Sequence, residues 1–500
     1  MPLRVVERDR KQSISSLGRD WPHPHTMTVI RDCTYLVRVD EGYRLAHGDI
    51  VVRDKIIAEI TKPNAAPVAG QPVMLGTGCL VVPGFVNAHT HSPLNVLRGT
   101  VDGMDHVGFM WTNQADTAGR SEDEVYASAL LGCLDMIRSG ITAAIDHYPE
   151  QNCTVGAVDP VARAYADSGM RAVIALRVFD QGYDDIDPAN IEGIEPSIVA
   201  KIASNNPLIP VAADELSDMC EDTIARWHGG RIQIFPGPSN PLRCSDDLLM
   251  ACHQIAQRHD LGIHTHLLET EIQKSIAGER HGHSTIEHLR SLGVLDHRWS
   301  FAHTIWVDDR DIELLADSGA VVVHNPHSNA KIGAGVAPVG RMLERGVIVA
   351  IGTDGASTND TLGLHEAMSL ALLLPRITGA SLANWPTAEF ALDMATTGGA
   401  AALLAANSLG TIAAGMRADL VFYDLRTPTL APLNDPVQQL IFAERGRSVR
   451  TVMIDGTVVF DDGAFPNVDV ESVIDEVIGM RKIQGTRNRG LYDLARQLSR

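Results

Sequence analysis

Short apolar runs separated by amphipathic stretches fill the middle of the chain. The first covers 81–86 and leads directly into Asn87-Ala88-His89-Thr90-His91. Stretches 122–139 and 158–168 have helical periodicity, and Ser284-Thr285-Ile286-Glu287 has the form of a capping box that starts a helix. Seven further apolar runs begin at Ile141, Arg171, Ile232, Gly262, Trp299, Ala320 and Val347. This strand–helix alternation predicts an α/β fold, a (β/α)₈ TIM barrel over residues 81–409.

The two ends of the chain carry a different, β-rich pattern. Short strand-like runs punctuated by Gly and Asp occupy 27–80 and return at 410–465, where Asp455-Gly456 marks a hairpin turn. Because chain ends often meet, we expect these two parts to form one composite β-sandwich domain. Residues 466–500 are expected to form a C-terminal helical segment. Residues 1–26 lack an apolar core, which indicates a mobile N-terminal extension rather than a secretory signal.

Composition narrows the class of protein. The chain has 500 residues, a net charge of -20 and a hydrophobic content of 45%, which argues against nucleic acid or an anionic membrane as its main partner. No run of about 18 apolar residues is present, so no membrane span is expected. The seven cysteines form no Cys-x-x-Cys motif, which suggests reduced thiols in a cytoplasmic protein and excludes a thiolate zinc site.

Polar side chains follow the ends of several predicted strands. His89 and His91 stand two residues apart and therefore point to one face of an extended strand. His266 ends the fifth run with Glu269 three residues later, and His303 ends the sixth. Asp354 ends the eighth run. In a barrel of this type, the C-terminal ends of the strands surround the active site, so these groups are expected to converge.

The converging groups predict a metal-dependent hydrolase. His89, His91, His266 and Asp354 can hold one divalent metal with water in a remaining position, and the metal lowers the pKa of that water towards about 7. Asp354 could also take the proton of this water. Glu269 is placed as a general acid/base, and His303 as a group that orients the hydroxide or stabilises charge on the substrate. The fourth run, 232–238, lacks a lysine that could bridge two metals, which favours one metal.

Each of these residues also has an ordinary structural explanation. A strand-end histidine can be a hydrogen-bonded core residue, Glu269 can begin a helix, and Asp354 can make a turn. His281-Gly282-His283 repeats the spacing of the first pair but follows no apolar strand, so we interpret it as a loop. The metal hypothesis depends on all the candidates occurring together, in order, at successive strand ends.

Several motifs together resemble the amidohydrolase superfamily, in the branch of adenosine-type, guanine and cytosine deaminases and triazine hydrolases. The motifs are Pro83-Gly84-Phe85-Val86-Asn87-Ala88-His89-Thr90-His91, His266-Leu267-Leu268-Glu269-Thr270, Ala302-His303, His324-Asn325-Pro326-His327-Ser328-Asn329-Ala330-Lys331 and Gly352-Thr353-Asp354-Gly355-Ala356-Ser357. The resemblance implies one metal, zinc or sometimes iron, on the four ligands above. It also implies proton transfers by the residues at 269 and 303, attack by metal-bound hydroxide on a ring carbon, and a homodimer or homotetramer.

Within that branch the chain looks most like the methylthioadenosine/S-adenosylhomocysteine deaminases, and two departures concern the substrate. Those enzymes carry a glutamate that holds the ribose hydroxyls, whereas stretch 115–120 has none and offers Asp116 instead. They also carry a histidine where this chain has Ser239. The substrate therefore stays open between a nucleoside and a free heterocycle. The positional candidates for substrate contacts are Trp111, Asn113, Arg177, Ser239 and Trp306.

Three functions follow from these observations. The first is deamination of a small heterocyclic amine (a purine, pyrimidine, pterin or triazine-like ring) with release of ammonia. The second is hydrolysis of another leaving group, such as halide, alkylamine or thiol, by the same residues. The third is a non-enzymatic scaffold, which predicts broken metal ligands. The presence of Glu269 favours deamination, because a nitrogen leaving group needs a proton.

Overall fold

The computed structural model describes residues 27–498, except 41, 66–70, 150–152, 155, 188–193, 205–207, 209 and 380. The predicted extension 1–26 lies outside the described residues. The strands in chain order are β1 (Thr28–Val39), β2 (Gly42–Arg53), β3 (Ile56–Thr61), β4 (Val73–Leu75), β5 (Cys79–Pro83), β6 (Phe85–Thr90), β7 (Ile141–Tyr148), β8 (Arg171–Val178), β9 (Ile232–Pro238), β10 (Ile263–Leu267), β11 (Trp299–His303), β12 (Val321–His324), β13 (Ile348–Ile351), β14 (Leu420–Asp424), β15 (Val449–Ile454) and β16 (Thr457–Asp461).

Helices lie between most of these strands and at the C-terminal end. They are α1 (His106–Thr117), α2 (Glu122–Arg138), α3 (Asp159–Ser168), α4 (Pro196–Ser204), α5 (Ala213–Trp227), α6 (Asp246–His259), α7 (Glu271–His281), α8 (Thr285–Ser291), α9 (Asp309–Ser318), α10 (Pro326–Lys331), α11 (Val339–Glu344), α12 (Ala356–Asn359), α13 (Leu364–Ile377), α14 (Ala388–Asp393), α15 (Gly399–Ala402), α16 (Pro436–Phe442), α17 (Val470–Arg487) and α18 (Arg489–Ala495).

Eight parallel strands, β6 to β13, form the centre of the molecule. They pair in two four-stranded sheets of strictly sequential order, β6-β7-β8-β9 and β10-β11-β12-β13. The second sheet begins beside the first, because β10 lies against β9, and β13 lies against β6. Nearly every residue of these strands is buried, as expected for parallel strands covered by helices. The C-terminal ends of all eight strands therefore point towards one region.

Strands from both ends of the chain share one further sheet. Its order is β16-β15-β14-β5-β1-β2-β3, with β4 beside β1. Alternate residues of β5 divide between two cores: Leu80 and Val82 pack into the main core, whereas Cys79 and Val81 pack into a smaller one. The sheet thus joins the two chain ends. The domain bounds stay predictions: a composite domain of 27–80 and 410–465, a barrel of 81–409 and a C-terminal segment of 466–500.

A buried ion-pair cluster fastens this sheet to the parallel strands. Arg171, the first residue of β8, donates to Asp419 at 3.3 Å and to Asp455 at 2.6 Å. Arg231 and Arg417 also donate to Asp455, at 3.0 and 2.8 Å. Removing one partner of such a buried group leaves an uncompensated charge, so the cluster fixes the position of the sheet.

Local signals in the sequence set several helix starts. The predicted helix start at Ser284 is present, since its hydroxyl oxygen accepts from the backbone N–H of Glu287 at 3.1 Å and α8 follows. Ser121 and Glu124 make a reciprocal capping box at the start of α2.

All seven cysteines are buried and unpaired. Among the described residues, no helix combines the length and apolarity needed to cross a membrane.

The C-terminal segment braces α1. Asp116, near the end of α1, is fully buried and accepts hydrogen bonds from Arg120, Arg481 and Tyr492. Asn488, between α17 and α18, donates to the carbonyl oxygen of Asp116 at 3.3 Å. This carboxylate is therefore committed to holding the C-terminal helices in place.

Candidate metal centre and active site

Four candidate ligands meet at the C-terminal ends of the parallel strands. His89 is in β6 and His91 directly follows it, His266 is in β10, and Asp354 follows β13. Each side chain is nearly or fully buried. Ligand atoms of His89, His91 and His266 lie within 4.8 Å of one another, and so do those of His89, His303 and Asp354.

Backbone carbonyls fix the tautomer of two imidazoles. His91 Nδ1 lies 2.9 Å from the carbonyl oxygen of His147, and His266 Nδ1 lies 2.7 Å from that of Ser239. Since a carbonyl oxygen only accepts, each Nδ1–H donates, and each Nε2 keeps its lone pair. The two Nε2 atoms face each other at 3.2 Å. Two nitrogens bound tetrahedrally to one zinc at ~2.05 Å lie about 3.3 Å apart, so this spacing fits a shared cation.

A relay of hydrogen bonds fixes the tautomer of His89. Its Nδ1 lies 2.8 Å from His264 Nε2, and His264 Nδ1 lies 2.7 Å from the hydroxyl oxygen of Ser300. That hydroxyl donates its one hydrogen to the carbonyl oxygen of Ile263 at 3.3 Å, so it accepts from His264 Nδ1–H. His264 Nε2 in turn accepts from His89 Nδ1–H. His89 Nε2 keeps its lone pair and, although buried, has no hydrogen-bonding partner among the described residues.

Asp354 supplies the fourth ligand atom. Its Oδ1 lies 3.5 Å from His89 Nε2 and 3.4 Å from His91 Nε2. Its Oδ2 accepts from the hydroxyl groups of Ser328 at 2.6 Å and Thr358 at 3.3 Å, which fixes the orientation of the carboxylate. Asp354 also has a φ of 60°, a left-handed backbone conformation that is uncommon outside glycine and concentrates at functional sites.

Burial keeps the imidazoles neutral. It lowers the pKa of His89 to about 4 and holds the pKa of His266 well below its ordinary value. Neutral imidazoles have free lone pairs at pH 7, which is the form that binds a metal. The described residues therefore fit a divalent cation held by three nitrogens and one carboxylate oxygen.

The relay behind His89 makes a testable prediction. We expect His264→Phe to weaken metal retention about 10- to 100-fold, because nothing then selects the His89 tautomer. The rate of zinc loss to a chelator measures this effect. His253→Phe is the matched control, since His253 is also buried but pairs with Asp296 at 3.0 Å outside the centre. Equal retention in both variants would contradict the role of the relay.

Glu269 stands between two histidines at the edge of the metal centre. Its Oε2 lies 3.1 Å from His106 Nε2, and its Oε1 lies 3.7 Å from His303 Nδ1. Burial alone would raise the pKa of Glu269, but His303 and His106 on its two sides lower it to about 2. His303 Nδ1 donates to Asn329 Oδ1 at 2.8 Å, which fixes the ring. Glu269 is thus an ionised, oriented carboxylate beside the site.

A small cavity lies over these groups. Of the predicted substrate contacts, Asn113 and Arg177 line it. Ser239 lies behind the wall, where its hydroxyl oxygen accepts from Arg177 at 3.1 Å and its carbonyl oxygen accepts from His266. Two of the five candidates, Asn113 and Arg177, thus line the cavity, and a third, Ser239, holds a lining residue and a metal ligand in place.

The two tryptophan candidates, and Asp116, lie outside the described lining of this cavity. Trp111 donates from Nε1 to the carbonyl oxygen of Ile186 at 3.0 Å and lines a separate apolar cavity beside α18. Because Trp111 and Asn113 are two residues apart on α1, their side chains point to different sides of the helix. Trp306 donates to the carbonyl oxygen of Ala334 at 2.8 Å and is not among the described lining residues. Asp116 is held in the ion-pair group with Arg120 and Arg481.

Some residues of the candidate site were absent from the sequence predictions. His106, the first residue of α1, lines the cavity and carries no motif of its own. Arg243 also lines it, paired with the buried carboxylate of Asp185. His264 had a visible signal, because it precedes His266 by two residues, as His89 precedes His91. By contrast, His281 and His283 stack with His288 and lie outside the metal groups of the described residues.

Comparison with known proteins now decides the family. Residues 80–459 match the Amidohydrolase family, which is well over half of the chain. The chain belongs to the amidohydrolase family. This amidohydrolase is 35% identical over 441 residues to the 5'-deoxyadenosine deaminase of Methanothermobacter thermautotrophicus, covering 86% of this chain and 93% of that protein. It is 34% identical over 402 residues to the 5-methylthioadenosine/S-adenosylhomocysteine deaminase of Syntrophobacter fumaroxidans, covering 80% and 84%.

Solved structures share the fold of this amidohydrolase. An adenosine deaminase from Xanthomonas campestris with bound zinc superposes with a TM-score of 0.80 at 24% identity, covering 93% of this chain and 100% of that one. Atrazine chlorohydrolase from Arthrobacter aurescens TC1, complexed with zinc, gives 0.79 at 22% identity, covering 91% and 99%. These likenesses confirm the predicted TIM-barrel-type fold class. Among the described residues, no hydrogen-bonded strand pairing joins the two parallel sheets into a closed barrel.

The comparisons also confirm two functional predictions for this amidohydrolase. The resemblance stated from its motifs is correct, and so is the enzyme class, a hydrolase of carbon–nitrogen bonds other than peptide bonds, of the deaminase type. The described residues contain the expected group of histidines and an aspartate that can hold a metal. The homo-oligomeric state and the cytoplasmic location stay predictions.

Proposed function

We propose that this amidohydrolase deaminates a 6-aminopurine nucleoside, releasing ammonia, with one zinc ion per chain on His89, His91, His266 and Asp354. The observation that carries the proposal is the convergence of three imidazole lone pairs and one carboxylate oxygen beside the ionised Glu269. The names of its relatives, deaminases of adenosine analogues, support the choice of substrate. The absence of lysine from β9 favours one metal over a bridged pair.

The ligand set fits the metal in atom type and spacing. Zinc bound there would supply Lewis acidity and would lower the pKa of a water molecule from 15.7 to about 7. Iron(II) is the alternative metal, since imidazole and carboxylate ligands also suit it. His147 and Ser239 hold the rings of His91 and His266 by their carbonyl oxygens, so the centre is oriented before a substrate enters.

Glu269 moves the protons in the proposed reaction. Its Oε2 is engaged by His106, so Oε1 is the atom that takes a proton from the attacking water. The same atom then delivers this proton to the ring nitrogen next to the carbon under attack. His303, with Nδ1 fixed by Asn329, presents its other ring edge to the negative charge that develops on the attacking oxygen. Asp354 Oδ1 accepts the second proton of the water and passes it to the leaving amine, which departs as ammonia.

A second candidate keeps the same residues and changes the leaving group. Hydrolysis of a halide, alkylamine or thiol substituent is consistent with this geometry, and one structural neighbour is an atrazine chlorohydrolase. That neighbour is below 25% identity, whereas the relatives above 30% are deaminases. The sequence relatives therefore favour ammonia as the leaving group.

A substrate panel tests the proposed function directly. Zinc-loaded protein is incubated with 6-aminopurine nucleosides, free aminopurines, pterins, pyrimidines, and chloro- and alkylamino-triazines, and ammonia, chloride and alkylamine are measured. We expect ammonia from the nucleosides at the highest kcat/KM. Chloride or alkylamine release without ammonia would favour the second candidate, and no product from any compound would contradict both.

A further inference from the structure

One face of α1 forms the wall of the cavity opposite the metal ligands. His106, Phe109, Met110 and Asn113 all line the cavity, and they follow the spacing i, i+3, i+4 and i+7 of a single helical face. Asp105 fixes where the helix starts, because its carboxylate accepts from the backbone N–H of Gly108 at 2.9 Å. The wall therefore has two apolar side chains between a polar group at each end.

The polar ends of this wall are incompletely hydrogen bonded. Asn113 is 1% exposed and His106 is 6% exposed. Among the described residues, neither Asn113 Oδ1 nor His106 Nδ1 has a hydrogen-bonding partner. A buried polar atom without a partner costs free energy, so such atoms in a cavity wall are typical of groups that a bound ligand completes. His106 already has one partner in Glu269, whereas no described residue contributes a hydrogen bond to the side-chain oxygen of Asn113.

The chemistry and position of Asn113 define what it can bind. An amide oxygen only accepts, so its partner must be an O–H or N–H group. Asn113 lies seven residues after His106, or about 10.5 Å along the helix axis. His106 marks the Glu269 end, where the ring nitrogen is protonated in the proposed reaction. Asn113 therefore lies away from the Glu269 end of the wall, on the side where a purine bearing a hydroxylated sugar would place its hydroxyl groups.

We propose that Asn113 determines substrate specificity by accepting a hydrogen bond from a sugar hydroxyl group of the nucleoside, while Phe109 and Met110 pack against its ring. This inference rests on the proposed deamination and adds a specific contact to it. It identifies the preferred substrates as ring amines with a hydroxylated substituent, rather than free heterocycles. The sequence shows only that Asn113 is a positional candidate. Its buried oxygen, for which the described part of the chain offers no hydrogen-bonding partner, gives it a chemical role.

The test compares one contact across two substrates. kcat/KM for ammonia release is measured with a 6-aminopurine ribonucleoside and with its 2',3'-dideoxy analogue, for wild type and Asn113→Leu. Leucine matches asparagine in size but accepts no hydrogen bond. We expect the wild-type preference for the ribonucleoside to fall about 10- to 100-fold in the variant, with the dideoxy value nearly unchanged. Asn113→Ala gives the same comparison if the leucine variant does not fold.

Thr112→Val is the matched control on the neighbouring position of α1. The Thr112 hydroxyl donates to the carbonyl oxygen of Gly108 at 2.9 Å and is not part of the described cavity wall, so this variant should keep the wild-type preference. Equal losses for both substrates in Asn113→Leu, or no loss for either, would overturn the inference. A wild type that prefers the dideoxy analogue would also overturn it. Failure of the proposed function is distinguishable, because wild type would then release no ammonia from the ribonucleoside or from its dideoxy analogue.

Discussion

Replacing His266 by alanine is expected to remove both the metal and the activity. His266 Nε2 faces His91 Nε2 at 3.2 Å, and its ring is fixed by the carbonyl oxygen of Ser239. Without His266, the cation loses one of its four protein ligands and only two imidazoles and one carboxylate remain to hold it. We expect purified His266→Ala to contain far less than one zinc ion per chain, measured by plasma mass spectrometry, and to release no detectable ammonia.

The second His-x-His motif, His281-Gly282-His283, supplies the control for this variant. His283 has the same His-x-His spacing as His91 but stacks on His288, outside the metal groups of the described residues. His283→Ala should therefore keep wild-type zinc content and wild-type turnover. Wild-type-like activity in His266→Ala would show that the four-ligand centre is not the site of reaction.

Glu269→Gln is expected to separate chemistry from metal binding. Glutamine keeps the size of the side chain and leaves the four metal ligands intact, but it cannot take up and return a proton. We expect kcat to fall by about 10²- to 10⁴-fold, the usual contribution of a general acid/base, while zinc content stays at the wild-type value. Steady-state ammonia release and metal analysis on the same preparation measure the two effects together.

A nearby carboxylate provides the comparison. Glu271 is two residues further on, exposed at the start of α7, and Glu271→Gln should leave kcat unchanged. A loss of zinc in Glu269→Gln would place Glu269 among the metal ligands. An unchanged kcat would assign the proton transfers to another group.

The strand ends could be predicted from the sequence because barrel geometry fixes where they point. His89, His266, His303 and Asp354 are far apart in the chain, but parallel strands place their C-terminal ends together. That His89 and His91 point to the same side could be predicted from the two-residue repeat of a strand. His264 follows the same rule and could have been recognised from its distance to His266. The composite sheet followed from the β-rich pattern at both chain ends.

The cavity wall could not be predicted from the sequence. Helical periodicity shows which residues share one face of a helix, but it does not show which other part of the protein that face contacts. Trp111 and Asn113 are two residues apart on α1 and were equal candidates in the sequence, yet one packs against α18 and the other lines the cavity. Asp116 had the right chemistry for a substrate contact, but Arg481 and Tyr492, more than 360 residues later in the chain, bind it. Such long-range pairings depend on tertiary packing, which local patterns do not encode.

Reconstitution of metal-free protein tests the central claim most directly. The protein is stripped with a chelator, zinc is added back in steps, and ammonia release from a 6-aminopurine nucleoside is measured at each step. A single centre on His89, His91, His266 and Asp354 predicts activity that rises linearly and stops rising at one equivalent of zinc per chain. Full activity in the metal-free protein, or a rise that continues to two equivalents, would contradict it.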